Sequence, residues 1–247
     1  MFQKLKEVIK KQQFNPKLTG LFTNPFYFAR KGLAVEIKKF APEISGRVLD
    51  VGCGKKPYKE FFHYSDYIGL EIDSKNTRQN SLADIFYNSK TFPFRDNTFD
   101  AIVLNQVFEH VFTPTTFFNE IYRVLKPGGR LLITLPFVWD EHEQPYDYAR
   151  YTSFGIAHIL KSHDFHILHH SKTVNNIQVI FQLLNAYVFK TFSFKNKYIN
   201  FLLTTPVFAF VNITGIIFNI LLPANNDLYL DNVVLAEKVS NPRDDDE

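Results

Sequence analysis

Two groups of residues in this chain have types and spacings suited to chemistry. The first is Asp50-Val51-Gly52-Cys53-Gly54-Lys55-Lys56-Pro57, where a short apolar run meets a glycine turn. Gly52 and Gly54 remove side chains where a ligand could approach the backbone. A helix starting after them would offer N–H groups to an anionic or polar ligand. About 20 residues on, Glu71 ends a second apolar run, where an acid can accept hydrogen bonds from both hydroxyls of a ribose. Asp73 competes with Glu71 for that role. The combination points to a ribose-bearing cofactor. A dinucleotide site wants a third glycine where this chain has Pro57, so NAD is disfavoured.

The second group lies in Pro136–Thr152, which carries acids, a histidine, an arginine and several aromatics with little hydrophobic periodicity. It follows an apolar strand pattern, at the sheet edge where α/β proteins place ligands. In a structural reading Asp147 and Arg150 pair, Pro145 stiffens the loop and the aromatics cap the core. In a functional reading His142 or Glu143 removes a proton from a substrate that Arg150, Asp147 and Tyr151 bind and orient. His110 reads more readily as structural than as a base, and Cys53 as a small buried filler. No metal site is expected.

Strand and helix patterns alternate around these groups. Arg47–Val51, Tyr67–Ile72, Asp100–Leu104, Arg130–Leu135, Phe165–His169 and Tyr229–Glu237 read as strands. Pro57–Tyr64, Thr115–Leu125 and Thr152–Lys161 read as helices, and Lys126-Pro127-Gly128-Gly129 as a breaker. Such alternation implies a parallel α/β sheet. The bulk numbers agree with a globular protein: 247 residues, 45% hydrophobic, 21% charged. A net charge of +3 is too small for a nucleic-acid binder, and one Cys permits no intrachain disulfide. The basic N-terminus lacks the apolar run of a signal peptide, so a cytoplasmic protein is expected.

The glycine turn resembles motif I of the class I S-adenosylmethionine-dependent methyltransferases, whose strand reads Leu-Asp-x-Gly-Cys-Gly; the Gly-Cys-Gly-x-x-Pro-Tyr form resembles a bacterial subgroup of the type 11 methyltransferase domain. Many members have a further glycine where this chain has Lys56. Ala83-Asp84-Ile85, Phe92–Asp100, Asn105–Val111 and Leu125–Leu131 resemble later motifs of that family, in order. Related bacterial methyltransferases share a His-Glu-x-Pro-x-Asp-x-x-Arg-x-Thr pattern, matched by His142, Glu143, Pro145, Asp147, Arg150 and Thr152.

The resemblance implies S-adenosylmethionine as cofactor. Gly52 and Gly54 would line its methionine moiety, Asp50 its amino group, Glu71 its ribose and Asp84 with Ile85 its adenine. Asn105 would sit near its reactive end. It also implies a seven-stranded Rossmann-like sheet, mostly parallel with the last strand antiparallel, and helices on both faces. The acceptor would be a small molecule, a glycan or a lipid-linked compound, methylated at oxygen. The alternative is a non-catalytic binding or assembly protein.

The organisation expected is a helical segment over 1–46, a methyltransferase domain over 47–240 and an acidic tail over 241–247. An apolar helical insertion at about 174–224 precedes the last strand. No charged residue occurs between Lys197 and Asp227, long enough for a membrane span of about 20 residues. Yet the flanking strands must return to one sheet. The insertion is therefore read as a surface that packs on the core, forms a homodimer, or rests on the inner face of a membrane, with Lys190, Lys195 and Lys197 suiting anionic headgroups.

Overall fold

The computed structural model describes residues 12–192 and 196–240, so the basic N-terminal residues, Lys195 and the acidic tail lie outside the described residues. Seven strands form one sheet. They are β1 (Ser45–Val51), β2 (His63–Ile72), β3 (Ile85–Tyr87), β4 (Phe99–Asn105), β5 (Leu125–Pro136), β6 (Phe165–Asn175) and β7 (Tyr229–Lys238). Their order is β3-β2-β1-β4-β5-β7-β6. Strands β1 to β5 pair in parallel, and the last strand, β7, runs antiparallel. Val48–Val51 are buried throughout, as expected of a central parallel strand covered on both faces. The order reverses between β1 and β4. Crossovers leave these strands in opposite directions and open a crevice beyond their carboxyl ends, where such sheets bind ligands.

The helices are α1 (Gly20–Thr23), α2 (Tyr27–Phe40), α3 (Lys75–Asn80), α4 (Pro114–Val124), α5 (Ser153–Ser162), α6 (Gln178–Thr191) and α7 (Lys197–Leu221). The chain divides into two compact units. One holds residues 36–137, 141–171 and 232 onward. In its core Phe117, Phe118, Ile121 and Val124 of α4 and Ile156 and Leu160 of α5 pack with Leu49, Ile102 and Ile133 of the sheet. Their spacing puts the apolar side chains of α4 on one face, while Thr152 caps α5 by accepting the Gly155 N–H at 3.1 Å.

The other unit holds residues up to Val35, Val138–Asp140 and Lys172–Asp231. Among the described side chains of α7, those buried form a narrow stripe: Thr204, Phe208, Val211, Asn212 and Gly215, at helical spacing. Asn212 is fully buried; its amide donates to the Leu21 carbonyl at 2.8 Å and its oxygen accepts from Asn185 at 2.9 Å. The stretch Asn200–Leu221 is long and apolar enough to cross a membrane, and 28% of its 18-residue apolar window is buried.

One local expectation fails. The helix expected over 57–64 is a single 3-10 turn, Lys59–Phe61. Gly54 and Lys56 both take left-handed φ values, +47° and +51°, which block helix entry, and Tyr64 pairs with Gly46 as part of β2. The sheet has the seven strands expected; six are legible as apolar runs, and the seventh, β3, has three residues and no readable period.

Candidate active site

The glycine turn follows β1 at the crevice. Gly52 has φ +66°, and a Cβ there would collide with Val107, so only glycine fits. Gly54 is different: a Cβ built on it meets nothing within 4 Å. Its N–H donates to Glu71 Oε2 at 3.1 Å, which ties the turn to the end of β2. Burial pushes the Glu71 carboxyl up, against the Gly54 and Ile72 N–H groups, and the Glu143 carboxylate adds to the rise. Glu143 of the late loop therefore shares the electrostatic environment of Glu71. Asp73 is held by Arg78 in two bonds of 2.6 and 2.8 Å, which leaves Glu71 the better placed acid.

Asp50 lies beneath the turn, only 2% exposed, and accepts the Tyr67 hydroxyl at 2.7 Å. Burial pushes its carboxyl up to about 7. Burial likewise pushes the Cys53 thiol up to about 12, so Cys53 is an inert filler. Lys56 reaches across Gly69, where a Cβ would collide with it, and its Nζ lies 2.5 Å from Asp84 Oδ2. The same oxygen accepts the Gly69 N–H at 2.7 Å. Burial raises the Asp84 carboxyl, but Lys56 and the Gly69 N–H outweigh it and hold the group below the usual range. Asp84 is thus fixed at the start of β3, beside Ile85, which pairs with Leu70. At the end of β4 the Asn105 Oδ1 is buried without a hydrogen-bond partner, so it can accept from a bound donor. The open direction at Gly54, the carboxylate of Glu71 and the unsatisfied Asn105 oxygen fit a polar, ribose-bearing cofactor.

The loop after β5 folds over the turn after β4. The Tyr148 and Ala149 N–H groups donate to the Glu109 carbonyl at 2.9 and 3.2 Å. Glu143 sits at φ +49°, followed by a cis Gln144–Pro145 peptide, and its carbonyl accepts the Tyr146 N–H at 3.1 Å. Arg150 grips both oxygens of Asp147, at 2.5 and 2.6 Å, and that contact holds the Asp147 carboxyl down at about 2. Asp147 also accepts the His142 N–H at 3.0 Å and lies 3.3 Å from His142 Nδ1. Asp147 and Arg150 therefore pair with each other and fix His142. Tyr151 stacks on Phe108, ring centroids 4.7 Å apart.

The structure also groups residues that the sequence did not. Glu109, fully buried, faces both His110 and His142, with each imidazole Nε2 3.9 Å from its Oε1. The adjacent Glu109-His110 pair was visible after β4; the approach of His142 was not. By contrast, Asp100 at the opposite end of β4 is absorbed by Lys126 at 2.6 Å and the Arg47 N–H at 2.8 Å.

Residues 49–133 match the family model described as a methyltransferase domain. The chain is 38% identical over 126 residues to demethylmenaquinone methyltransferase of Symbiobacterium thermophilum, covering 50% of this chain and 39% of that protein. It is 34% identical over 100 residues to a fatty-acid O-methyltransferase of Mycolicibacterium smegmatis, covering 36% of each. The chain spans less than half the length of the curated relatives it matches. An S-adenosylmethionine-dependent methyltransferase structure from Mesorhizobium loti shares the fold, with a TM-score of 0.51 at 15% identity over 88% of this chain and 100% of that one. With the sheet order, the glycine turn and the Glu71 carboxylate, these matches identify residues 49–133 as a methyltransferase domain, set in a fold shared with S-adenosylmethionine-dependent methyltransferases.

Proposed function

We propose that this chain transfers a methyl group from S-adenosylmethionine to an oxygen of a lipid-linked acceptor at a membrane surface. The observation that carries the transfer is the turn at Gly54, open on its Cβ side and tied to the Glu71 carboxylate. The cofactor, when bound, supplies a methyl already made electrophilic by its sulfonium. Glu71 would hold the ribose hydroxyls, Gly52 and Gly54 the methionine moiety and Asp50 its amino group. Asp84 and Ile85 would frame the adenine, and the Asn105 oxygen would accept a donor near the reactive end. The remaining task is orientation, which contributes roughly 7–11 kcal/mol in well-aligned reactions. His142 and Glu143 are the groups for acceptor activation, with Arg150, Asp147 and Tyr151 holding His142 and the acceptor side of the loop.

The lipid part of this reading rests on the helical unit. Between Asp164 and Asp227 the sequence contains no Asp or Glu, and its only full charges are lysines. Exposed apolar side chains line α6 and α7: Tyr187 62%, Leu202 71% and Phe210 70% exposed. An exposed apolar face in a segment whose sequence carries only lysines suits an anionic bilayer surface, and Lys190 also pairs with Asp140 at 2.6 Å. A vesicle sedimentation assay with anionic phosphatidylglycerol should capture the full chain, with at least fivefold less capture by Leu202→Asp/Phe210→Asp. Equal capture of the two proteins, or a concentration-dependent dimer with no vesicle binding, would refute the membrane contact. Calorimetric titration of S-adenosylmethionine tests the cofactor site, and an absence of binding would refute the activity. Labelled methyl appearing in the organic phase of a cell extract tests the acceptor class; label confined to the aqueous phase would refute it.

A second reading is favoured by Lys56, which fills the space over Gly69 and binds Asp84. It is a non-catalytic, methyltransferase-fold assembly protein, distinguished by cofactor binding without turnover in the same extract.

A further inference from the structure

We propose that Glu109, His110 and His142 form a binding site for a divalent transition-metal ion of the zinc type. One ligand atom from each residue lies within 4.8 Å of the others. Around a tetrahedral ion with bonds of about 2.1 Å the ligand atoms would stand about 3.4 Å apart. The three groups thus need only small side-chain adjustments to close on an ion.

The orientation of the imidazoles is the stronger argument. His110 Nδ1 lies 2.8 Å from the Tyr146 carbonyl oxygen, which can only accept. The proton of a neutral His110 is therefore on Nδ1, and its Nε2 presents a lone pair toward Glu109. His142 repeats the pattern. Its Nδ1 lies 3.3 Å from the Asp147 carboxylate, and its Nε2 faces the same Glu109 oxygen at 3.9 Å. Arg150 Nη2, which donates to Asp147 at 2.6 Å, stands 3.5 Å from that Nδ1, a longer contact than the 3.3 Å to the Asp147 carboxylate. Two imidazole nitrogens and a carboxylate converging on one point are a donor set suited to a cation. A backbone carbonyl and a carboxylate behind ligating imidazoles are the outer-shell partners that fix metal-binding tautomers. Two nitrogen ligands favour zinc, cobalt or nickel over magnesium or calcium. Three protein ligands leave a coordination place for water or an acceptor oxygen. The inference deepens the acceptor-side reading of His142, which would act as a ligand rather than as the base itself. It rests on that reading only for its catalytic consequence, because binding is measured without activity.

The test uses the full chain after chelator treatment, titrated with cobalt(II) chloride and followed by visible absorption, with zinc chloride as competitor. One cobalt per chain with tetrahedral-type absorption, displaced by zinc, is the expected result. His110→Ala and His142→Ala should each weaken binding at least tenfold, and Asp147→Asn, behind the ligand, about 10–100-fold. Circular dichroism on each variant confirms folding, and the histidine variants keep the test decisive should Glu109→Gln fail to fold. No saturable cobalt absorption by the full chain, or unchanged affinity in His110→Ala/His142→Ala, overturns the proposal; histidines that hold only protons would give that outcome. S-adenosylmethionine titration of the same samples separates the two readings. Cofactor binding without cobalt binding removes the metal site alone, and the reverse removes the methyltransferase activity alone.

Discussion

Asp50→Asn should exchange stability at low pH for stability at high pH. Asp50 is 2% exposed, and burial lifts its carboxyl from the usual 3.8 to about 7. A folded-state value above the unfolded one means that the folded chain holds the proton longer. Stability is therefore lost as pH rises from about 4 to about 7, by roughly 1.4 kcal/mol per unit and ~4 kcal/mol in all. Asparagine cannot ionise and escapes that loss. It exchanges a short bond from the Tyr67 hydroxyl, at 2.7 Å, for a poorer one, at a cost of roughly 1 kcal/mol. The variant should thus be about 1 kcal/mol less stable than the parent at pH 4 and about 3 kcal/mol more stable at pH 8. Urea unfolding of both proteins at the two pH values measures this. A variant less stable by the same amount at both would refute a buried, destabilising carboxylate at position 50. The charge is retained, on this reasoning, for the cofactor, so Asp50→Asn should also bind S-adenosylmethionine more weakly at pH 8.

Gly54→Ala should cost only the strain of its left-handed backbone, roughly 1–2 kcal/mol, while weakening S-adenosylmethionine at least tenfold by calorimetry. Gly52→Ala should lose more stability than Gly54→Ala in the same melts, because its methyl also collides with Val107 at a further cost of roughly 1–3 kcal/mol. Asp147, held down at about 2 by Arg150, contributes about 2 kcal/mol above pH 4 that disappears as pH falls through 2. The stability gap between the parent and Asp147→Asn should therefore shrink across that window in urea melts. Asn212→Leu should lower stability by roughly 1–3 kcal/mol in thermal melts, since it strips the Leu21 carbonyl and the Asn185 amide of their buried partner.

Legibility differed by the range of the forces involved. The glycine turn could be read because φ values of +66° and +47° at Gly52 and Gly54 are a local demand that glycine alone meets at low cost. Helix α4 could be read because its apolar period is a property of consecutive residues. The helix expected after Pro57 failed because Lys56 adopts a left-handed conformation to reach Asp84, a partner 28 residues away. β3 went unread because three residues carry no period; pairing with β2 makes it a strand.

The sequence by itself determined the order of strands and helices, the residue types at the turn and the placement of an uncharged insertion before the last strand. These follow from periodicity and backbone permission, which act over a few residues. Tertiary structure decided what each side chain faces. It buried Asp50 against Tyr67, spent Arg150 on Asp147, turned the apolar side of α7 outward and brought His142 to Glu109 and His110. Burial and distance set charge, tautomer and coordination, and in this fold they arise between strands joined by crossovers, where neighbours in space are far apart in the chain.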